Sequence, residues 1–195
     1  MATIKNLPIE AEERQEILNK ALEIFVREGY FSTTGAIVAK ELNIPEATLF
    51  KYFETKEDLL YTIVGEAFHL FFGSIDPNQD GVIMEVELLF FIEDYFESLQ
   101  KNLDFLRQFY ALRMQPGVVS LYKKQLVKIV SPLLELLINY FASIDAENPK
   151  METRFLASML DGIAMNYVLE PDGYPIDDME HKVLNMYIRA AEYEE

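Results

Sequence analysis

An all-α fold is predicted, with a three-helix N-terminal head containing a helix-turn-helix and a six-helix body. Apolar residues recur at helical rather than strand spacing almost from end to end. Gly, Pro and Asn punctuate the chain at intervals that suit helix lengths. Residues 29–58, GYFSTTGAIVAKELNIPEATLFKYFETKED, place two short helical patterns on either side of a tight turn and then start a third helix. The chain has 195 residues, half of them hydrophobic. At that length roughly 70% of the unfolded surface can be buried, so a core forms without covalent staples. There is no cysteine, which excludes disulfides, thiolate zinc sites and a cysteine nucleophile.

Local signals place each element in turn. Ile17, Leu18, Ala21, Leu22 and Phe25 share one face of a first helix over about 9–28, which Gly29 ends. Two short helices are expected at about 34–41 and 45–52. Thr55-Lys56-Glu57-Asp58 is a capping box that opens a fourth helix to about 73. A polar break from Gly73 to Gly81 precedes a fifth helix to about 101, and a sixth covers about 103–114. Gln115-Pro116-Gly117 interrupts the pattern before a seventh helix at about 118–142. Asn148-Pro149, a cap followed by proline at the first helical position, opens an eighth to about 169. After a loop at 170–175, Asp177 with Glu180 is expected to cap a ninth helix to about 191. The fourth helix is the expected joint between a head at 1–55 and a body at 56–195.

Within the head, Val38, Ala39 and Leu42 are placed to pack a brace helix inward, and small Ala39 permits close approach. Asn43 stands where the turn needs a left-handed residue. Ile44, Leu49 and Phe53 turn the second helix's inner face to the core. Glu46, Ala47, Thr48, Phe50, Lys51 and Tyr52 are left toward solvent, where a helix-turn-helix meets a DNA major groove. Charge runs against a strong DNA grip. The net charge is −16, yet residues 1–56 hold seven basic residues and nine glutamates, so the acidity belongs to the body. Modest, salt-dependent affinity is the expectation.

Gly29-Tyr30, Thr33-Thr34, Val38-Ala39, Asn43-Ile44, the run Ala47 to Phe53 and Lys56 to Leu59 together resemble the N-terminal domain of the TetR family of bacterial repressors. The resemblance is continuous over about residues 14–60. It implies a homodimeric, cytoplasmic transcriptional regulator: a DNA-binding head of three helices, a six-helix ligand-binding and dimerisation domain, and repression of a double-stranded operator relieved by a small-molecule effector. Effector binding would shift the recognition helices away from the spacing of ~34 Å that suits successive major grooves. By resemblance, Thr33 and Thr34 touch phosphate, Thr48, Lys51 and Tyr52 meet DNA, and Lys56 pairs with phosphate. Phe50 stands at the usual tyrosine position and lacks its hydroxyl. Ala47 replaces the usual glycine, Pro45 the usual capping serine, and Gly35 a packing aliphatic.

In the body, Phe68, Phe72, Tyr95, Phe109, Tyr110 and Tyr122 are candidates for an apolar effector pocket, with Arg113 and Asn166 as polar groups to orient the ligand. Gln108 is a further polar candidate, and simple core packing is the plainer account of each aromatic. Of the adjacent Phe90 and Phe91, only one can face the core. Helix eight, with Ala157, Leu160 and Gly162, and helix nine, with Val183, Leu184, Tyr187 and Ile188, are expected to form the dimer interface. No cofactor is required. Residues 76–87 nevertheless fit the calcium-loop pattern D-x-[DN]-x-[DN]-G-x5-E, with Asp76, Asn78, Asp80, the Val82 carbonyl and Glu87 as oxygen ligands. Pro77 is unusual in such a loop, and no second loop pairs with it.

Other chemistries find no foothold. His69 and His181 lack paired ligand spacing, and His69, on a helix amid aromatics, is expected at the core or the pocket edge. No nucleophile elbow, phosphate loop or dinucleotide fingerprint occurs, so an enzyme is not expected. The N-terminus has no apolar run, and no apolar stretch of spanning length is free of charge, so neither a secretory signal nor a membrane partner is expected. The alternative reading is an all-helical ligand- or calcium-binding protein whose head keeps the scaffold without reading DNA.

Overall fold

The computed structural model describes residues 7–188, with side chains from residue 12 onward. Among these residues there are nine α-helices and no strand: α1 (Leu7–Glu28), α2 (Gly35–Glu41), α3 (Glu46–Tyr52), α4 (Lys56–Phe72), α5 (Glu85–Lys101), α6 (Leu103–Arg113), α7 (Val118–Ser143), α8 (Pro149–Leu169) and α9 (Ile176–Tyr187). Two compact units result. Of the described residues, one unit comprises 7–67 with 107–126, and the other 68–106 with 127–188. The described part of the stretch expected as a head, 1–55, lies within the first unit.

The first unit is organised around the predicted face of α1. Leu18, Leu22 and Phe25 are buried, as is Ile24, and Tyr30 meets Phe25 edge-on with ring centroids 5.0 Å apart. Val38 and Ala39 from α2, Leu49 from α3, and Leu59, Leu60 and Ile63 from α4 close the core. The capping box of α4 is present in both directions. Asp58 N donates to Thr55 Oγ1 and Thr55 N to Asp58 Oδ2, each at 3.0 Å. Each bond satisfies a backbone donor that the helix start would otherwise leave unpaired.

The second unit buries Phe91, Ile92, Phe96 and Leu99 of α5, Leu156 and Leu160 of α8, and Val183 of α9. Tyr95 donates its hydroxyl to Leu160 O at 3.0 Å, tying α5 to α8. Phe91 is 1% exposed and Phe90 50%, the division that helical geometry requires of neighbours. Leu160 and Val183 face this unit's own core, so they are not free for an interface between copies.

Several expectations need correction. Asp177 and Glu180 do not cap α9, because Pro175 occupies the N-cap and brings no side-chain acceptor. Asp177 instead accepts from Gln100 Nε2 at 3.0 Å. Positions 189–191 of the expected ninth helix lie outside the described residues. His69 is exposed rather than at a core edge.

Among the described residues, one helix is long and apolar enough to cross a membrane by length and composition alone. α7 holds an 18-residue window of mean hydropathy 1.4, only 17% of it buried. Of its large apolar residues, Val119 and Val127 are exposed.

The cap of α8 is a clean test of local energetics. Asn148 Oδ1 accepts from Met151 N at 3.2 Å, ahead of Pro149. Asn148→Ala is expected to lower stability by about 1 kcal/mol in urea unfolding.

Candidate nucleic-acid interface

The reading helix is positioned from the end of α1. Gly29, at φ +87°, turns the chain out of the helix in a conformation open to glycine. The backbone from Tyr30 to Thr33 then needs partners. Thr33 Oγ1 donates to Gly29 O at 2.9 Å, and Lys56 Nζ donates to Tyr30 O at 3.0 Å and Thr33 O at 2.8 Å. The Lys56 ammonium also lies 4.3 Å from the centroid of the Tyr30 ring. Burial, with the nearby Glu57 carboxylate, pushes the Tyr30 phenol well above its ordinary pKa.

Thr34 then caps α2 from an extended conformation at φ −119°, its Oγ1 accepting from Ile37 N at 3.3 Å. The helix closes in a Schellman arrangement. Ile44 N donates to Ala39 O at 3.0 Å and Asn43 N to Lys40 O at 3.1 Å, with Asn43 at φ +54°. This is the left-handed residue that the turn required. α3 begins at once behind Pro45, which provides no side-chain cap.

α3 buries Leu49, and Phe53 follows it into the core. Glu46, Ala47, Phe50 and Lys51 are exposed, Thr48 and Tyr52 half-buried. Tyr52 donates its hydroxyl to Glu13 Oε2 at 2.5 Å, and Lys51 Nζ lies 5.5 Å from the centroid of the Tyr52 ring. Arg14 stands over the Phe53 ring at 5.2 Å and pairs with Glu66 at 3.1 Å.

Gly35 and Phe50, two separate departures in the sequence, form one feature. A Cβ on Gly35 would lie 2.8 Å from Phe50 Cζ, so the missing side chain is filled by the ring. Two of the residues assigned to phosphate contact by resemblance have internal partners. Thr33 is fully buried, its hydroxyl engaged with Gly29 O. Lys56 is half-buried and holds two carbonyls. Thr34 is exposed at the start of the brace helix.

The eight pocket candidates divide between the units. Phe68, Phe72, Tyr95 and Asn166 belong to the second, and Phe109, Tyr110, Arg113 and Tyr122 to the first. In the second unit Phe68 stacks on Phe72 at 5.3 Å, and Phe72 reaches Tyr95 at 5.7 Å and Phe91 at 6.1 Å. Asn166 is exposed and returns its amide to Gly162 O at 2.7 Å, so it is not an inward-pointing polar group. In the first unit Arg113 lies 5.3 Å from the Tyr110 ring, and Phe109, Tyr110 and Tyr122 are buried. An open cleft of about 330 Å³ in the first unit is lined by Arg14, Tyr52, Phe53, Asp58, Tyr61 and Gln125 among others, and by none of the eight.

The calcium reading of Asp76, Asn78, Asp80, Val82 and Glu87 meets a loop whose side-chain oxygens mostly have partners within it. Asn78 Nδ2 donates to Asp80 Oδ2 at 3.2 Å and Glu87 Oε1 at 3.0 Å, so an amide nitrogen stands between carboxylates that an ion would need. Glu87 Oε2 accepts from Met84 N at 2.9 Å as the cap of α5, and Val82 N donates to Asp80 Oδ1 at 2.8 Å. Gly81 N donates to Asp76 Oδ2 at 3.1 Å. No group of three or more His, Asp or Glu residues gathers at metal-ligand geometry among the described residues. Asp76 Oδ1, by contrast, is buried with no hydrogen-bond partner among the described residues.

The comparisons with known proteins converge on one class. The family model described as "Bacterial regulatory proteins, tetR family" matches residues 17–62. The HTH-type transcriptional regulator SAS2464 of Staphylococcus aureus (strain MSSA476) is 24% identical over 181 residues, covering 93% of this chain and 95% of that protein. Among solved structures, the fatty acid degradation regulator FadR from Bacillus halodurans superposes with a TM-score of 0.69 at 18% identity, covering 89% of this chain and 96% of that one. NalD, the secondary repressor of the MexAB-OprM multidrug efflux pump in Pseudomonas aeruginosa, superposes at 0.67 and 16% identity, covering 92% and 95%. FadR from Bacillus subtilis, solved with stearoyl-CoA, superposes at 0.68 and 18%, covering 89% and 97%.

Two outcomes are expected of this geometry. Gly35→Ala should be more favourable in a Phe50→Ala background than alone, with a coupling of about 1 kcal/mol in a double-mutant cycle of unfolding free energies. Calcium at a few millimolar should leave the melting temperature unchanged. A rise that Asp80→Ala abolishes would restore the metal role.

Proposed function

We propose that the chain is a regulator of the TetR family, whose model matches residues 17–62, and that it is a homodimeric repressor released from its operator by a small-molecule effector. The observation that carries this reading is α3. It is a short helix locked behind the Schellman turn of α2, with Glu46, Ala47, Phe50 and Lys51 exposed and its inner face buried. That is the geometry of a helix presented to a major groove. DNA contact is assigned to Thr34, Glu46, Ala47, Thr48, Phe50, Lys51 and Tyr52, and the regulator works in the cytoplasm, where its operator is. The comparisons do not favour the alternative of a binding protein with a degenerate head.

The dimer is assigned to α8 and α9. Along α8, Met151, Phe155, Ser158, Gly162, Met165 and Leu169 recur at alternating four- and three-residue steps. Met151 is 58% exposed, Phe155 49% and Leu169 74%. This spacing is that of a seam between paired helices. Nothing lies within 4 Å of a Cβ built on Gly162, so a second helix has room there. Met186 and Ile188, at and just past the end of α9, are also about half exposed.

The effector is expected to have an apolar body, because the second unit offers linked aromatic rings at Phe68, Phe72 and Tyr95. Stearoyl-CoA, bound by Bacillus subtilis FadR, is the first probe to try for release from DNA.

A gel shift at low salt with DNA from upstream of the protein's own gene tests the reading. Wild type should retard that fragment, and Lys51→Ala should weaken binding several-fold and lower the salt slope. Phe155→Lys should yield a monomer by sedimentation and weaken binding at least about tenfold, since one head replaces two. Failure of wild type to bind any genomic fragment would overturn the proposal.

A further inference from the structure

Gly29 ends α1, but part of the pairing of its terminal backbone comes from far along the chain. A helix leaves its last four carbonyls without partners, and the chain leaving it exposes amides in the same region. Phe25 O belongs to that last set, and Tyr30 N follows the left-handed Gly29. Both are satisfied by one side chain from 85 and 90 residues away. Gln115 Nε2 donates to Phe25 O at 2.7 Å, and Gln115 Oε1 accepts from Tyr30 N at 2.8 Å. The two partners, one acceptor and one donor, fix the orientation of the amide. Gln115 lies in the turn between α6 and α7, within the same compact unit as α1, α2 and α3.

A second contact fastens the same turn. Gly117, at φ +82°, lies against the Phe31 ring, and a Cβ there would come within 3.3 Å of Phe31 Cε2 and Cζ. Segment 29–33 is thus held by Lys56 on one side and by Gln115 and Gly117 on the other. It leads directly into Thr34, the cap that sets the start of the brace helix.

We infer that Gln115 is a positioning residue for DNA binding: by bridging Phe25 O and Tyr30 N, it fixes the entry to α2 and with it the stance of α3. It touches no DNA itself. The working head accordingly includes the α6–α7 turn, and residues 1–55 alone lack Lys56, Gln115 and Gly117, the residues that hold segment 29–33.

The test uses the full-length chain with two substitutions. Gln115→Met keeps the length of the side chain and loses both hydrogen bonds. Gln115→Glu keeps the acceptor for Tyr30 N and loses the donor to Phe25 O. Each variant is compared with wild type for gel-shift affinity on the upstream fragment, melting temperature and backbone hydrogen exchange. Gln115→Met should weaken binding about tenfold, the order expected from unpairing a buried donor and acceptor. Its melting temperature should fall only a few degrees, while exchange quickens at Tyr30 to Thr33 and at Ile37 and Val38. Gln115→Glu should fall between Met and wild type in affinity, with Tyr30 still protected. Should the Met variant not fold, the Glu variant decides alone by its own loss of affinity. Affinity within twofold of wild type in the folded variants, or unchanged exchange at 30–33, overturns the inference. If wild type retards no fragment, the repressor reading falls, and the exchange profile still decides whether Gln115 holds this segment.

Discussion

Ending a helix creates polar backbone that must be paired, and the end of α1 is where this protein's architecture is decided. Gly29 makes the sharp exit possible, but the exit leaves Phe25 O, Tyr30 N and Thr33 O in search of partners, while Tyr30 O is shared between Thr33 N and Lys56. Those three are paired at a distance in sequence. Lys56 comes from the start of α4 and Gln115 from the turn before α7, while Thr33 closes back on Gly29. Unpaired, such buried groups would each cost about 1–3 kcal/mol. The segment therefore has few alternative conformations, and the two short helices behind it inherit a defined direction. Thr34 caps α2, the Schellman turn at Asn43 closes it, and α3 begins with no slack between them.

The same pairing explains how the head uses its few cations. Lys56 holds carbonyls, Arg14 pairs with Glu66, and Arg27 is shared among Glu23, Glu28 and Glu41. These ion pairs are largely exposed and add little stability. Their effect is to screen positive charge that would otherwise attract phosphate. With seven basic residues against nine glutamates over residues 1–56, the nonspecific grip is weak, because counterion release scales with the phosphates neutralised. Recognition must rest more on shape and on the exposed face of α3. There Phe50 replaces a hydroxyl-bearing ring and packs over Gly35.

Most of the fold was legible because helices announce themselves by period and by caps. Gly29, Asn43, Thr55 with Asp58, and Asn148 with Pro149 each end or start a helix by a local mechanism, and each does so here. Where a cap depended on choosing between local candidates, the inference failed: Pro175 took the position assigned to Asp177. Site residues were harder. Resemblance assigned Thr33 to phosphate, but the neighbouring Gly29 carbonyl drew its hydroxyl inward. Asn166 turned its amide onto its own helix. The calcium pattern satisfied every letter of its motif, yet the Asn78 amide and the cap of α5 use the same oxygens. Gln115 carried no signal, since a glutamine in a turn is ordinary until the partners it reaches across 85 and 90 residues are known.

Folding one chain leaves apolar surface that water does not favour. α7 is apolar and little buried, and α8 turns Met151, Phe155 and Leu169 outward along a heptad-spaced line. A contiguous apolar strip of this kind marks a surface meant to be covered. On the proposed reading, a second copy covers α8, and Gly162 supplies the close approach that two crossing helices need. This bears on DNA binding as well as on stability. A short reading helix with so little free positive charge would bind one half-site weakly. Joining two such heads makes the second contact intramolecular and multiplies modest affinities without any new contact to DNA. The same linkage makes the pair sensitive to geometry, because the gain vanishes when the two helices no longer match successive grooves. Weak heads and an apolar seam are therefore parts of one design: affinity depends on spacing, and spacing is what an effector in the body can change.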